Sequence, residues 1–171
     1  KQGASLITLL FDDIPESFQK IFKNHSEGDT HAIIANKVSS KLKNPILVVP
    51  RVYADELSLD SPNYLKDFFD SISSNIKVFY TGKNIVSKSA KSDLKVINKV
   101  TKTNNLIFWD NFHANDYCPK RFFLCTRNKN DFQNGIMANL TGMPYTDMLI
   151  LEIIKICLEG KGSKKNLKQI F

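Results

Sequence analysis

Short apolar, β-rich runs recur along the chain at 6–11, 46–52, 76–81, 106–109 and 135–139. They follow one another at intervals of about 30 to 40 residues, the length of a βα unit. Helical patterns fill the gaps at 15–22, 30–42, 61–74, 89–102 and 144–158. Ser61-Pro62 reads as a cap followed by proline at the first helical position, and Ser89 opens a helix with Asp93 near its first turn. Asn44-Pro45, Thr81-Gly82 and the pair Gly160 and Gly162 supply turn chemistry between elements. Five β-then-α units in succession predict an α/β fold of parallel strands joined by right-handed crossovers. Periodicity does not choose between an open sheet and a barrel. An eight-fold barrel takes about 250 residues, so a chain of 171 would supply only its last five-eighths.

The first run carries the sharpest chemical signal. Leu6 to Phe11 have one polar interruption, Thr8, the pattern of a strand buried on both faces, and the run stops on Asp12 and Asp13. Strands of parallel sheets carry chemistry at their carboxyl ends, which is where both acids fall. Successive side chains on a strand point to opposite faces, so the two share a cleft only if the chain leaves the extended conformation, as Pro15 favours. Carboxylates about 4 Å apart repel by roughly 4 kcal/mol at an effective dielectric near 20, about three pKa units. One of the pair then holds its proton toward neutral pH, giving one acid and one base. The plainer alternative is a helix N-terminus, where Asp is a common cap.

The other strands also end in polar or aromatic residues: Arg51 and Tyr53; Tyr80-Thr81-Gly82; the stretch from Trp109 to Tyr117; and Asn139 with Thr141. These endings read as one rim of loops around one site. Trp109, the single tryptophan, offers a flat apolar surface beside the donors and acceptors of Asn111, Asn115 and Asp116. That mixture suits a sugar, whose ring has an apolar face and a fringe of hydroxyls. His113 reads as a structural histidine and Asp110 as a packing or supporting residue. The Asn-x-Ser/Thr triplets at Asn24 and Asn139 occur at chance frequency.

Composition narrows the setting. With 42% apolar residues the chain is a single globular domain by length, and no run of 18 apolar residues indicates a membrane span. The net charge of +7 would suit a polyanion, but 21 lysines against 3 arginines, spread along the whole chain, describe a solvated basic surface rather than a nucleic-acid interface. Cys118, Cys125 and Cys157 are odd in number and widely spaced, which fits reduced thiols in an intracellular protein. His113, Cys118 and Cys125 match no common zinc spacing. The chain opens at Lys1, almost inside a strand, and is expected to be part of a longer protein.

The segments Leu9-Leu-Phe-Asp-Asp-Ile14, Tyr80-Thr-Gly-Lys-Asn-Ile-Val-Ser-Lys88 and Ile107-Phe-Trp-Asp-Asn-Phe-His-Ala-Asn-Asp-Tyr117, followed by Lys120-Arg121, resemble the catalytic domain of the protein O-GlcNAcases of glycoside hydrolase family eighty-four. The resemblance implies a TIM (β/α)8 barrel entered at its fourth strand, with residues 1–160 as strands four to eight and 161–171 as a basic tail. It further implies a retaining β-N-acetylglucosaminidase in which the 2-acetamido oxygen of the substrate is the nucleophile, an exception to the two-carboxylate scheme. On that likeness Asp12 orients the acetamido nitrogen and Asp13 is the general acid and then the base. Tyr53 lines the acetamido pocket and Trp109 walls it, while Asn111, Asp116 and Asn139 bind sugar hydroxyls. No metal or cofactor is called for. The implied partners are O-GlcNAc-modified proteins or GlcNAc-containing glycans, in a cytoplasmic or nucleocytoplasmic setting. Departures from the family include Tyr80 at a position often held by tryptophan, Cys125 in place of glycine, a shorter loop at 126–134, and the absence of the first three strands with their sugar-binding glycine and lysine. Five strands alone leave two unpaired edges, so the missing N-terminal half or a second chain is expected to close the sheet. An inactive partial barrel that still binds GlcNAc, and a hyaluronidase-like relative acting on extracellular glycans, are the alternatives.

Overall fold

A computed structural model describes residues 3–15, 24–42, 44–87, 97, 105–117, 119–120 and 135–160. Its sheet has five strands, β1 (Ile7–Leu10), β2 (Ile46–Val49), β3 (Lys77–Tyr80), β4 (Leu106–Asp110) and β5 (Ile136–Ala138), in the order β1-β2-β3-β4-β5. Every neighbouring pair is parallel. A strand order that follows the chain without reversal is that of a (β/α) barrel, whereas a doubly wound sheet reverses at a switch point. The topology thus decides what periodicity left open, and the sheet is a curled part of a barrel.

Three α-helices are described: α1 (Glu27–Lys41), α2 (Tyr64–Ser71) and α3 (Pro144–Leu158). α1 starts ahead of the run at 30–42 because Ser26 caps it, its hydroxyl accepting the Asp29 N–H at 3.2 Å, with Glu27 and Asp29 favouring the dipole. α2 is shorter than the 61–74 read from the sequence. Ser61 does not cap it; its hydroxyl accepts the Arg51 guanidinium at 2.6 Å, and the N-cap is Asn63, without a side-chain bond. β2 stops at Val49 rather than 52, since Pro50 has no N–H for the ladder. The helices expected at 15–22 and 89–102, the loop at 126–134 and the tail at 161–171 fall outside the described residues, apart from Pro15 and the buried Ile97.

The main core joins one face of the sheet, through Ile46, Val48 and Val78, to Ala32 of α1 and Phe68 of α2. α3 covers Phe108 of β4 with Ile153 and Cys157. α1 and α2 approach closely at Gly28, where an added Cβ would lie 2.2 Å from the Tyr64 carbonyl oxygen. β1 departs from the expectation of burial on both faces: Leu10 is 64% exposed and Leu6 52%. The cause is position, since β1 is the edge of the described sheet and pairs only with β2 among the described residues.

One buried polar network ties the helices to the strand ends. Arg51 and Glu27 form a two-point ion pair whose side chains are only 8% and 9% exposed. The Arg51 N–H donates to the Tyr64 hydroxyl at 2.9 Å, leaving that hydroxyl's proton for His31 Nδ1 at 2.8 Å. Burial pulls the His31 pKa down to about 4, so the ring is neutral. Its face stacks on Phe11 at 4.3 Å and 5°. Phe11 is the residue immediately before Asp12.

Candidate active site

Beyond β1 the Phe11 N–H still bonds the Val49 carbonyl at 2.9 Å, and then the chain turns, with the Ile14 N–H reaching the Phe11 carbonyl at 3.3 Å. The turn takes Asp12 and Asp13 out of strand alternation. Both therefore face one cavity of about 650 Å³, within the usual size of a small-molecule site. Asp12 is half-buried and Asp13 exposed.

The remaining walls come from the ends of the other four strands. After β2, the Tyr53 carbonyl is pinned by the Thr81 N–H at 2.8 Å. Its ring lies 5.1 Å from that of Trp109, tilted by 46°, and together they make an apolar corner. The Trp109 Nε1 is buried and finds no hydrogen-bond partner among the described residues. After β4, Asn111 donates from Nδ2 to the Ile85 carbonyl at 3.0 Å and accepts from Asn139 Nδ2 at 3.2 Å. Asn139 in turn continues the ladder past β5, its N–H bonding the Asp110 carbonyl at 2.9 Å. Asp116 accepts the Tyr117 N–H at 3.0 Å on one oxygen.

All seven residues singled out from the sequence, Asp12, Asp13, Tyr53, Trp109, Asn111, Asp116 and Asn139, line this one cavity. The supporting residues lie behind it. Asp110 is fully buried and accepts the Phe112 N–H at 2.9 Å, which shapes the loop, and His113 is buried edge-on to Phe112. Tyr80 is buried in the core, its hydroxyl donating to Asp55. Cys118, Cys125 and Arg121 lie outside the described residues.

Burial pushes the Asp12 carboxyl above the usual carboxylate range; its own backbone N–H opposes this and the charge of Asp13 adds to the rise. The Tyr53 phenol is pushed up first by burial and then by Asp12, Asp13, Glu56 and Asp116, so four carboxylates act on one hydroxyl and keep it a proton donor. An apolar aromatic corner, side-chain amides and adjacent acids of unlike exposure form a site able to hold a polar ring and exchange a proton with it.

Sequence reasoning missed Glu56, Asn84 and Ile85, which also line the cavity. Asn84 and Ile85 lie within the Tyr80–Lys88 segment and were within reach of that signal. Glu56 sits in a 3-10 turn, Asp55–Ser58, that follows Tyr53 and has no pattern of its own.

A profile for the NAGidase (beta-N-acetylglucosaminidase) family matches residues 1–163. The chain is 32% identical over 130 residues to Protein O-GlcNAcase of Rattus norvegicus and, equally, of Mus musculus, covering 71% of its own length. It spans only 14% of the length of these curated relatives. Among solved structures, a single-site mutant of the O-GlcNAc hydrolase of Thermobaculum terrenum superposes with a TM-score of 0.74 at 21% identity, covering 98% of this chain and 39% of that one.

Proposed function

The chain belongs to the beta-N-acetylglucosaminidase family, and on that premise we propose that it is the carboxyl-terminal part of the catalytic barrel of a retaining hydrolase removing β-linked N-acetylglucosamine from serine or threonine of proteins. The observation that carries the proposal is the turn at the end of β1, which sets Asp12 and Asp13 side by side in the cavity shared with Tyr53, Trp109, Asn111, Asp116 and Asn139.

In the proposed reaction the acetamido oxygen of the sugar attacks the anomeric carbon as the glycosidic bond breaks, and Asp13 gives its proton to the departing serine or threonine oxygen. Asp12 accepts the acetamido N–H as positive charge develops on nitrogen. Its half-buried position supports that role, because a hydrogen bond to a carboxylate is stronger out of water. Water then enters at the anomeric carbon, returns its proton to Asp13 and regenerates the acetamide with the configuration retained. The Tyr53–Trp109 corner encloses the acetamido methyl. Asn111, Asp116 and Asn139 bind hydroxyls, each contributing about 0.5 to 1.5 kcal/mol net, with a charged acceptor contributing more. A cytoplasmic or nucleocytoplasmic setting is proposed on the likeness to the O-GlcNAcases.

Full-length protein is expected to release the aryl group from an aryl N-acetyl-β-glucosaminide, and Asp13→Asn to abolish that turnover on substrates with poor leaving groups. An unchanged rate in the variant ends the assignment. The open edge at β1 favours a second reading, in which the five-strand piece binds GlcNAc without turning it over unless further strands, from another segment or a second chain, complete the barrel. Tight binding of a GlcNAc-thiazoline mimic by wild-type protein that shows no turnover selects that reading.

A further inference from the structure

Glu56 has no part in the proposed reaction steps, yet both oxygens of its carboxylate bond the neighbouring loop. One oxygen accepts the Ile85 N–H at 2.5 Å and the other accepts Asn84 Nδ2 at 2.9 Å. The Glu56 N–H also donates to the Lys83 carbonyl at 3.1 Å. The loop after β3 is partly self-supporting: Thr81 and Ser87 hydroxyls both donate to the Asn84 carbonyl, and the Ser87 hydroxyl accepts the Asn84 N–H. The first peptide group flanking the Cα of Ile85 is thus held on both sides, by the loop at the Asn84 carbonyl and by Glu56 at the Ile85 N–H. The second is set from outside the loop by Asn111, which donates to the Ile85 carbonyl at 3.0 Å. Asn111 in turn accepts Asn139 Nδ2 at 3.2 Å. An unbroken chain of hydrogen bonds therefore runs from Glu56 through Ile85 and Asn111 to Asn139, crossing the loops that follow β2, β3, β4 and β5.

We propose that Glu56 is a positioning residue that fixes Asn111 and Asn139 through the Ile85 peptides, so that the two amides meet the substrate already oriented. The physical case is that a side-chain amide without fixed partners is free to rotate, whereas one held at both ends presents its remaining donor and acceptor in one direction. A carboxylate makes the stronger anchor because charge-assisted bonds are roughly twice as strong as neutral ones. Glu56 is itself exposed at the rim, so its removal leaves no buried hole and tests position rather than folding. The inference rests on the reading of this cavity as a sugar site only for its kinetic consequence; its structural content stands apart.

The test uses Glu56→Ala and Glu56→Gln in the full-length protein labelled with nitrogen-15. In Glu56→Ala the Ile85 amide should lose hydrogen-exchange protection and the Asn111 and Asn139 side-chain amide resonances should move. Glu56→Gln keeps one carbonyl acceptor and should restore part of both. Where wild-type protein turns over an aryl N-acetyl-β-glucosaminide, Glu56→Ala should lower kcat/KM about 10- to 100-fold. The same substitution in an Asn111→Ala background should add less than about 3-fold, since the effect is transmitted through Asn111. Unmoved Asn111 and Asn139 amides in a folded Glu56→Ala protein overturn the proposal, as does a full additional loss in the Asn111→Ala background. Absence of turnover in wild-type protein bears on the hydrolase reading alone and leaves the resonance test to decide.

Discussion

Gly28→Ala sets two opposed effects against each other at the closest approach of α1 and α2. Alanine favours a helix over glycine by about 1 kcal/mol, and less in a first turn, which is where Gly28 stands. Against this, the new Cβ would meet the Tyr64 carbonyl oxygen at 2.2 Å and the Phe68 nitrogen at 2.9 Å, both backbone atoms of the facing helix. Ordinary contact lies near 3.5 Å, so α2 must withdraw by roughly 1 Å. No rotamer change relieves a clash with backbone, and overpacking of this kind costs about 1 to 3 kcal/mol. Packing therefore wins, with a net loss of about 1 to 2 kcal/mol and a Tm lower by about 2 to 8 °C for a domain of this size. The shift also travels: α1 carries His31, which is stacked on Phe11 next to Asp12. Thermal and urea unfolding followed by circular dichroism measure the loss. A Tm equal to or above that of wild type refutes the reasoning, because it would mean that the two helices are not held at this distance.

Glu27→Gln removes the carboxylate paired with the buried Arg51 guanidinium and is expected to cost about 3 to 5 kcal/mol, whereas replacing both residues by apolar ones of similar volume should cost far less; urea melts of the three proteins check the order. Stability should also fall with acid through His31. With its folded pKa pulled down to about 4 from 6.5, the unfolded chain takes up a proton that the fold does not, so stability is full above about pH 6.5 and declines as the pH drops toward 4. The difference corresponds to about 3 kcal/mol, and the pH slope between 4.5 and 6.5 should flatten in His31→Gln, with an unchanged slope counting against the assignment.

Much of the site was legible because its residues are unusual for where they fall. Adjacent acids closing an apolar run, a lone tryptophan followed by asparagines and an aspartate, and a tyrosine past the second strand each carry a local signal, and each lines the cavity. Strand positions were legible for a similar reason, since apolar runs of the right length at βα spacing leave few other readings.

What the chain could not announce is whatever depends on a partner distant in sequence. Ser61 looked like a cap and serves instead as an acceptor for Arg51, ten residues earlier. β1 looked buried on both faces by its pattern, and its place at the edge of the described sheet leaves Leu6 and Leu10 exposed. Glu56 is one acid among many until the fold brings the loop after β3 against it, 29 residues on from Glu56 to Ile85. Local sequence determined the elements and the chemical types at their ends, because propensity, capping and period act over a few residues. The tertiary structure alone decided the barrel topology, the choice of hydrogen-bond partners and the convergence of five loops on one cavity, because burial and hydrogen-bond satisfaction are settled by whichever groups the curled sheet brings together.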